Sequence, residues 1–192
     1  MEHLSHLRNM IASLDEELVA HLCHRAGLRL NVQFYALASD ALPALNDLAG
    51  QFSESTTLAG RVHLLRPPYL QVLLPTLCEQ GGGGDRSECL AADAACLDAL
   101  ARRLALSVHV ATRKLEALPE ALQAAIRTGD PARVENAITH PAVEAKVLAR
   151  VRRQARETAP RVETPDQLCA LYAEWIIPLS RKIQVHGLLA EA

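Results

Sequence analysis

The chain has 192 residues, of which 49% are hydrophobic and 22% are charged, a composition that can build a folded core and argues against a disordered protein. Aromatic residues make up only 3%, while Ala and Leu dominate, which favours packed helices over a β-sandwich. The 20 basic and 22 acidic side chains give a net charge of −2, so no overall field would attract nucleic acid.

Neither a membrane span nor a targeting segment is visible in the sequence. No apolar run approaches the roughly 20 residues needed to cross a bilayer, and the start, MEHLSHLRNM, lacks the basic and apolar regions of a signal peptide. The five cysteines include no CxxC pair, so neither a zinc site nor a disulfide framework is indicated. We expect a cytoplasmic protein that binds neither membranes nor nucleic acid and forms a single domain over residues 1–192.

The first helix is predicted by apolar residues in steps of three and four. They run from residue 4 to residue 22, and the helix is expected to end before Gly27. Residues 30–80 are interrupted by prolines and glycines instead. That segment predicts only short helices, one starting near Asp40 and one over 68–77.

The middle of the chain predicts one long helix and two short ones. After a glycine break at 81–84, one apolar face continues from about residue 87 to residue 118 and predicts a long central helix. Short helices are expected after Pro119 and after the turn at 128–131.

Two further helices complete the predicted fold. Pro141 is suited to the first helical position and opens a helix that should reach about residue 158. Thr164 and Gln167 form a capping box at the start of the last helix, which is expected to kink at Pro178. Since no run of alternating β-branched residues is present, we predict an all-α bundle with long first, central and C-terminal helices around a polar cavity.

A set of polar residues lies on or beside the apolar faces of these helices. Arg103 and Lys114 are separated by about three helical turns, so both project from one side of the central helix. The other members are Arg8 on the first helix and the i,i+4 pairs His140–Glu144 and Ser180–Gln184. Turned inward, the three cations of this set would suit a small dianion or dicarboxylate.

Each of these residues also has an ordinary explanation. Arg8 could extend its charged end to solvent from the edge of an apolar stripe. Glu144 lies in a first helical turn, where the helix dipole stabilises a carboxylate without any ligand. Ser180 could bond carbonyls that Pro178 leaves unpaired. Spacing therefore predicts a site but does not name its substrate.

Two other clusters are interpreted as surface features. His3 with His6, and His21 with His24, form i,i+3 pairs, but no third ligand stands at a recognisable spacing, so no metal site is predicted. The basic run at 150–156 is flanked by glutamates and has no interleaved aromatic residues. It is interpreted as a solvated helix face rather than a nucleic-acid surface.

Four segments, in order, resemble the all-helical chorismate mutases of the single-chain type typical of fungi and plants. LRNMIASLDEELVAHLCHRA is similar to that family's opening helix, with an arginine, an acidic residue seven positions on and a closing arginine. CLDALARRLALSVHVATRK has the family's double arginine and a lysine eleven positions after the second. IRTGDPARVENAITHPAVEAKVLARV and LYAEWIIPLSRKIQVHGLL resemble the family's last two conserved stretches.

The resemblance implies an isomerase that converts chorismate to prephenate by a [3,3] rearrangement, as a homodimer and without a metal or cofactor. In the family, arginines matching Arg8 and Arg103 hold the two carboxylates of the substrate. A lysine matching Lys114 contacts a carboxylate and the ether oxygen, and Gln184 takes the position on the other side of that oxygen. Because an amide does not titrate, the resemblance predicts a nearly flat turnover profile from about pH 6 to 8.

The remaining site positions keep other substrates open. Glu144 matches the glutamate that receives the ring hydroxyl, and Ser180 matches a Thr/Ser position near a carboxylate. His140, however, stands where Asn or Asp is usual, so isochorismate or 4-amino-4-deoxychorismate is an alternative substrate, and pyruvate elimination from isochorismate an alternative reaction. A non-catalytic helical interaction module on the same scaffold is the alternative of another class.

Overall fold

The regular secondary structure is helical throughout the part of the chain that the structure describes. This computed structural model describes residues 2–35, 41–116 and 119–190, and no strand occurs within those ranges. Helices account for 82% of the structure. The predicted all-α class is confirmed. No helix in these ranges is both long enough and apolar enough to cross a membrane.

Two long antiparallel helices form the centre of the bundle. They are α1 (Glu2–Ala26) and α5 (Arg86–Glu116). Two buried ion pairs between them, one joining residues 25 and 93 and one joining residues 15 and 103, show the antiparallel direction. The helix α1 ends directly before Gly27, as predicted, and α5 begins one residue before its predicted start, whereas its predicted end at residue 118 lies outside the described residues.

A third long helical segment packs against α5. It comprises α9 (Thr164–Leu171), a π turn (Tyr172–Ile176) and α10 (Ile177–Ala190), which follow one another directly. In the π turn the N–H of Ile177 donates to a carbonyl five residues earlier. The kink predicted at Pro178 corresponds to this turn, which ends two residues before the proline and widens the helix where an N–H is missing.

The start of α9 differs from the predicted capping box. Thr164 is the first helical residue rather than the N-cap, and Glu163 precedes it without a side-chain cap. Within the described ranges, the Thr164 hydroxyl is buried and has no hydrogen-bond partner. Its place in the buried core next to Pro165 removes it from the capping position.

Three helices between α5 and α9 begin close to the predicted points. They are α6 (Glu120–Arg127), α7 (Pro131–Ile138) and α8 (Pro141–Thr158). The side chain of Asp130 caps α7 by accepting a hydrogen bond from the N–H of Ala132 at 3.0 Å, and α8 has the bounds that its opening proline predicts.

The segment before α5 forms only short helices, as predicted, but two of the predicted helix starts are wrong. It contains a 3-10 turn (Val32–Phe34), α2 (Leu45–Glu54), α3 (Leu58–Pro68), a second π turn (Tyr69–Leu73) and α4 (Leu74–Leu77). The helix predicted near Asp40 begins at Leu45, and Asp40 itself lies outside the described residues.

The helix predicted to start at Pro68 begins ten residues earlier. Thr57 starts α3 by accepting a hydrogen bond from the N–H of Gly60 at 3.1 Å, and the proline pair lies in the last turn of α3 instead of opening it. The glycines at 81–84 form a loop, as predicted, and Asn31 holds it by accepting from the N–H of Gly83 at 2.8 Å.

The apolar side chains form a large cluster along α1, α5 and α9 and a small one where α6 and α7 pack on α10. Leu18 and Leu22 of α1 are fully buried in the large cluster, whereas Leu7, Ile11 and Leu14, nearer the start of the helix, are only partly buried. The apolar face of α1 is therefore less covered near the start of the helix. The polar residues singled out above lie towards this end of the bundle, which we call the open end.

Candidate active site

Four of the seven predicted site residues are brought together between α5 and α10. The Lys114 ammonium donates to Oε1 of Gln184 at 2.9 Å. One turn back on α10, the hydroxyl of Ser180 lies 2.7 Å from that of Ser107, which stands on α5 between Lys114 and Arg103. Helical spacing at 103, 107 and 114 thus aligns one polar face of α5 with α10.

The guanidinium of Arg103 is held by a buried carboxylate of α1. The Arg103 side chain is only 7% exposed, and its Nε donates to Oδ1 of Asp15 at 2.7 Å. Asp15 is fully buried and also accepts from Arg150 Nη2 at 2.7 Å and from the hydroxyl of Tyr172 at 3.2 Å. Within the described residues no protein acceptor occupies the two η nitrogens of Arg103, so its fork is fixed in position and free for a ligand.

Lys114 has a neutral partner instead of a carboxylate. Burial lowers the pKa of its ammonium from 10.5 to about 8, because desolvation disfavours the charged form. The Gln184 amide that it contacts donates through Nε2 to the Ser180 carbonyl at 3.3 Å. A half-buried ammonium bonded only to a neutral amide, among the residues described, can still interact with an anion.

Glu144 lies at the start of α8 and pairs with α10. Its Oε1 accepts from Arg181 Nη1 at 3.0 Å, and Arg181 also lies 3.6 Å from Oε1 of Glu135 on α7. Because Glu144 precedes Arg150 by six residues on one helix, it stands nearly two turns closer to the open end of the bundle.

Arg8 and His140 are not brought into this cluster. Arg8 lies two turns before Asp15 on the same side of α1, but its side chain is exposed, so its expected inward position is not observed. The histidine side chain is exposed as well, while its carbonyl accepts from the N–H of Glu144 at 3.1 Å.

The sequence interpretation missed three members of the cluster: Asp15, Ser107 and Arg150. Arg150 was assigned to a solvated face, but it is half-buried against Asp15, whereas Arg152 and the other arginines of the run are exposed. Helical phase would have separated them, since Arg150 lies next to the buried stripe that contains Val151.

The charges of the cluster leave an excess of positive charge. Arg103 and Arg150 share one carboxylate, Asp15, and Lys114 has no carboxylate partner among the residues described, which leaves two positive charges. The charges of Glu144 and Arg181 cancel. Within the described residues, three buried side-chain atoms near these groups also lack a hydrogen-bond partner: Arg150 Nε, Gln154 Oε1 and Arg181 Nε. Buried polar atoms are normally paired, but Gln154 Oε1 is an acceptor and Arg181 Nε lies 3.6 Å from Glu135. Among the residues described, the cluster therefore has the charge of an anion site and one vacant buried donor beside Asp15, Arg150 Nε.

Across the described ranges, no group of three or more His, Cys, Asp or Glu side chains is arranged to hold a metal ion. The described site consists of arginine and lysine side chains, the carboxylates Asp15 and Glu144, and the neutral groups of Ser107, Ser180 and Gln184.

The chain is similar to known proteins of one family. A family model described as chorismate mutase type II matches residues 86–185, more than half of the chain. The chain is 31% identical to the chloroplastic chorismate mutase 1 of Petunia hybrida over 135 residues, which cover 63% of this chain and 42% of that protein. It is also 31% identical to a chorismate mutase of Emericella nidulans over 143 residues, covering 65% and 53% of the two chains.

The chain spans about half the length of these curated relatives. In three dimensions it superposes on the crystal structure of the chloroplast chorismate mutase from Zea mays with a TM-score of 0.80 and 22% identity, covering 98% of this chain and 94% of that chain. This structural likeness shows a shared fold.

Proposed function

The chain belongs to the chorismate mutase type II family, and we propose that it is an isomerase that converts chorismate to prephenate. The observation that carries the proposal is the polar face of α5, where Arg103 shares the single carboxylate Asp15 with Arg150 and Lys114, about three turns further on, contacts the Gln184 amide. The two excess positive charges fit a small dianion such as chorismate.

The reaction requires conformational restriction more than chemical participation. It is a unimolecular rearrangement that needs no nucleophile, so the protein must hold a flexible dianion in its compact conformer. The free η nitrogens of Arg103 suit one carboxylate, since a guanidinium binds carboxylates through two parallel hydrogen bonds. Asp15 and Arg150 act through Arg103 by fixing the direction of its fork.

Lys114 and Gln184 are proposed to stabilise the breaking C–O bond. The ether oxygen gains negative charge in the transition state, and donors aimed at that oxygen lower the barrier by about 2–4 kcal/mol each. The 2.9 Å contact between the two side chains supports this assignment because it brings both groups to one point. For both to donate to the oxygen, the Gln184 amide turns its Nε2 away from the Ser180 carbonyl.

The other predicted residues are proposed to complete the substrate contacts. Glu144 accepts the ring hydroxyl, and Ser180 donates to a carboxylate. Arg8, exposed and two turns beyond Asp15 on the same side of α1, folds over the open end to hold the second carboxylate. The His140 side chain moves towards the ring hydroxyl, next to Glu144.

We further propose that residues 1–192 act as one catalytic domain, in the cytoplasm and as a homodimer, without a cofactor. The five cysteines are free and buried, which supports a reducing compartment.

The test is an ultraviolet assay of chorismate disappearance with identification of the product. We expect prephenate, formed without added metal or cofactor. Isochorismate and 4-amino-4-deoxychorismate are assayed in parallel, and faster turnover of either would change the substrate assignment. A folded protein that converts none of the three would support the non-catalytic module instead.

A further inference from the structure

Glu144, the carboxylate proposed to accept a hydrogen bond from the ring hydroxyl, already forms an ion pair within the protein. Glu144 Oε1 accepts from Arg181 Nη1 at 3.0 Å, and the two side chains are 29% and 24% exposed. Within the described residues, the other oxygen of Glu144 has no hydrogen-bond partner. Glu144 therefore offers a ligand one free oxygen on a carboxylate whose charge is balanced.

The position of Arg181 is fixed from a second side. Its Nε lies 3.6 Å from Oε1 of Glu135, whose other oxygen accepts from the neighbouring Lys182 at 3.4 Å. Two adjacent cations on α10 thus lie at one carboxylate of α7, but of these two only Arg181 reaches Glu144.

This arrangement discriminates between a hydroxyl and an ammonium at the ring position that Glu144 contacts. A hydroxyl needs only an acceptor lone pair, which the free oxygen supplies. A ring amine is protonated at neutral pH, and its charge would lie close to the Arg181 guanidinium, which repels it at partly buried positions. An unpaired carboxylate would favour the ammonium instead.

We propose that Arg181 is a specificity-determining residue that selects a ring hydroxyl over a ring ammonium, and hence chorismate over 4-amino-4-deoxychorismate. The inference rests on the proposed function, because it takes Glu144 as the group that faces the ring substituent. Selection comes from repulsion of the wrong substrate as much as from attraction of the right one.

The experiment measures kcat/KM for both substrates with the wild-type chain and with R181M, R181Q, R181K and K182M. The ratio of the two constants on one sample does not depend on the fraction of folded protein, so partial unfolding of a variant leaves the result interpretable. K182M is the matched control, since it removes the adjacent cation, whose carboxylate partner among the residues described is Glu135 and not Glu144.

We expect the neutral variants R181M and R181Q to shift the ratio towards the amine substrate by roughly tenfold or more, and R181K and K182M to keep it near the wild-type value. An unchanged ratio in R181M and R181Q, or an equal shift in K182M, would overturn the inference. If the wild-type chain does not convert chorismate at all, it is the proposed function that fails, and the two failures are thereby distinguished.

Discussion

Two buried ion pairs join the helices α1 and α5, and they differ in which helix supplies the arginine and which supplies the carboxylate. In the Asp15–Arg103 pair, which we call the open pair, α1 supplies the carboxylate. In the Arg25–Asp93 pair, which we call the closed pair, α5 supplies it. Both have N–O distances of 2.7 Å and both are buried. They differ in what surrounds them.

The closed pair has its hydrogen-bonding capacity filled by the protein. Arg25 is fully buried and donates from all three nitrogens, to Asp93, the Cys78 sulfur, the Tyr35 hydroxyl and nearby carbonyls. Asp93 accepts in addition from the hydroxyls of Tyr35 and Tyr69. Burial raises the pKa of Tyr35 to about 12, so this phenol remains a proton donor at neutral pH.

The open pair keeps its arginine fork unfilled. Asp15 is saturated by Arg103, Arg150 and Tyr172, but the η nitrogens of Arg103 have no acceptor in the described part of the chain. Where every donor is used, a buried pair can only hold the fold. Where donors are left, the same pair can hold a ligand.

The largest expected effect is on stability at the closed pair. R25M should reduce the free energy of unfolding by about 3–5 kcal/mol, because it leaves Asp93 buried without a cation. R103M should reduce it by only about 1–2 kcal/mol, since Asp15 keeps Arg150 and Tyr172. Urea unfolding followed by circular dichroism measures both, and equal losses would remove the distinction between the pairs.

For catalytic turnover, in contrast to stability, the larger effect should come from substitutions at the open pair and at Lys114. R103A and K114A are each expected to lower kcat/KM for chorismate by at least about a hundredfold while the helical fold persists. R102A is the matched control, because Arg102 pairs with Glu17 and Asp98 at the protein surface. A loss smaller than about tenfold in R103A or K114A would remove that residue from the site.

Lys114 offers a way to sharpen the contrast through stability. The pKa of Lys114 is about 8 in the folded chain and 10.5 when unperturbed. Below pH 8 the ammonium is charged in both the folded and the unfolded chain, so its burial destabilises the fold by the full amount. This destabilisation decreases as the pH rises from 8 to 10.5. K114M should therefore be more stable than wild type by about 1–2 kcal/mol at pH 7. Urea unfolding at pH 7 and near 10.5 checks whether the difference disappears.

The smallest effect concerns the pH dependence of turnover at Gln184. Wild-type kcat/KM should stay flat from about pH 6 to 7 and then fall, with its midpoint at about pH 8, as Lys114 loses its proton. The flat range therefore ends earlier than the Gln184 amide alone predicts. Q184E should move the pH optimum to the acid side, because a carboxyl group donates a hydrogen bond only when it is protonated. Relative to wild type, kcat/KM of Q184E should be roughly tenfold higher at acid pH than at neutral pH.

A pH–rate profile of Q184E against wild type measures this shift. If Q184E loses activity at every pH, the residue is not an interchangeable donor to the ether oxygen.

Helix positions were predictable wherever apolar spacing was regular. The start of α8 and the end of α1 follow from Pro141 and Gly27, local signals that tertiary packing did not change. The start of α3 was not predictable in this way, because Pro67 and Pro68 are tolerated in its last turn, next to a π turn that accommodates missing N–H groups.

The sequence predicted which helix face carries the site residues, but it predicted less well which of their side chains are buried. Spacing placed Arg103, Lys114 and Gln184 on facing sides of α5 and α10, and the structure brings them together. Spacing could not reveal that Arg8 is exposed, since that depends on how the first turns of α1 pack, nor that Arg150 alone of its run meets Asp15.

The π turn at Tyr172–Ile176 has a consequence for the gene. A π turn takes in one more residue than an α turn while closing the same circuit of the helix, so the surplus residue is absorbed within the turn and Ser180 and Gln184 keep facing α5. The coding sequence can therefore lose one codon there, most simply that of the exposed Ala173, and leave a regular helix with the same residues towards the site. Loss of the codon between Pro178 and Ser180 would instead rotate Ser180 and Gln184 by about 100° around the helix axis.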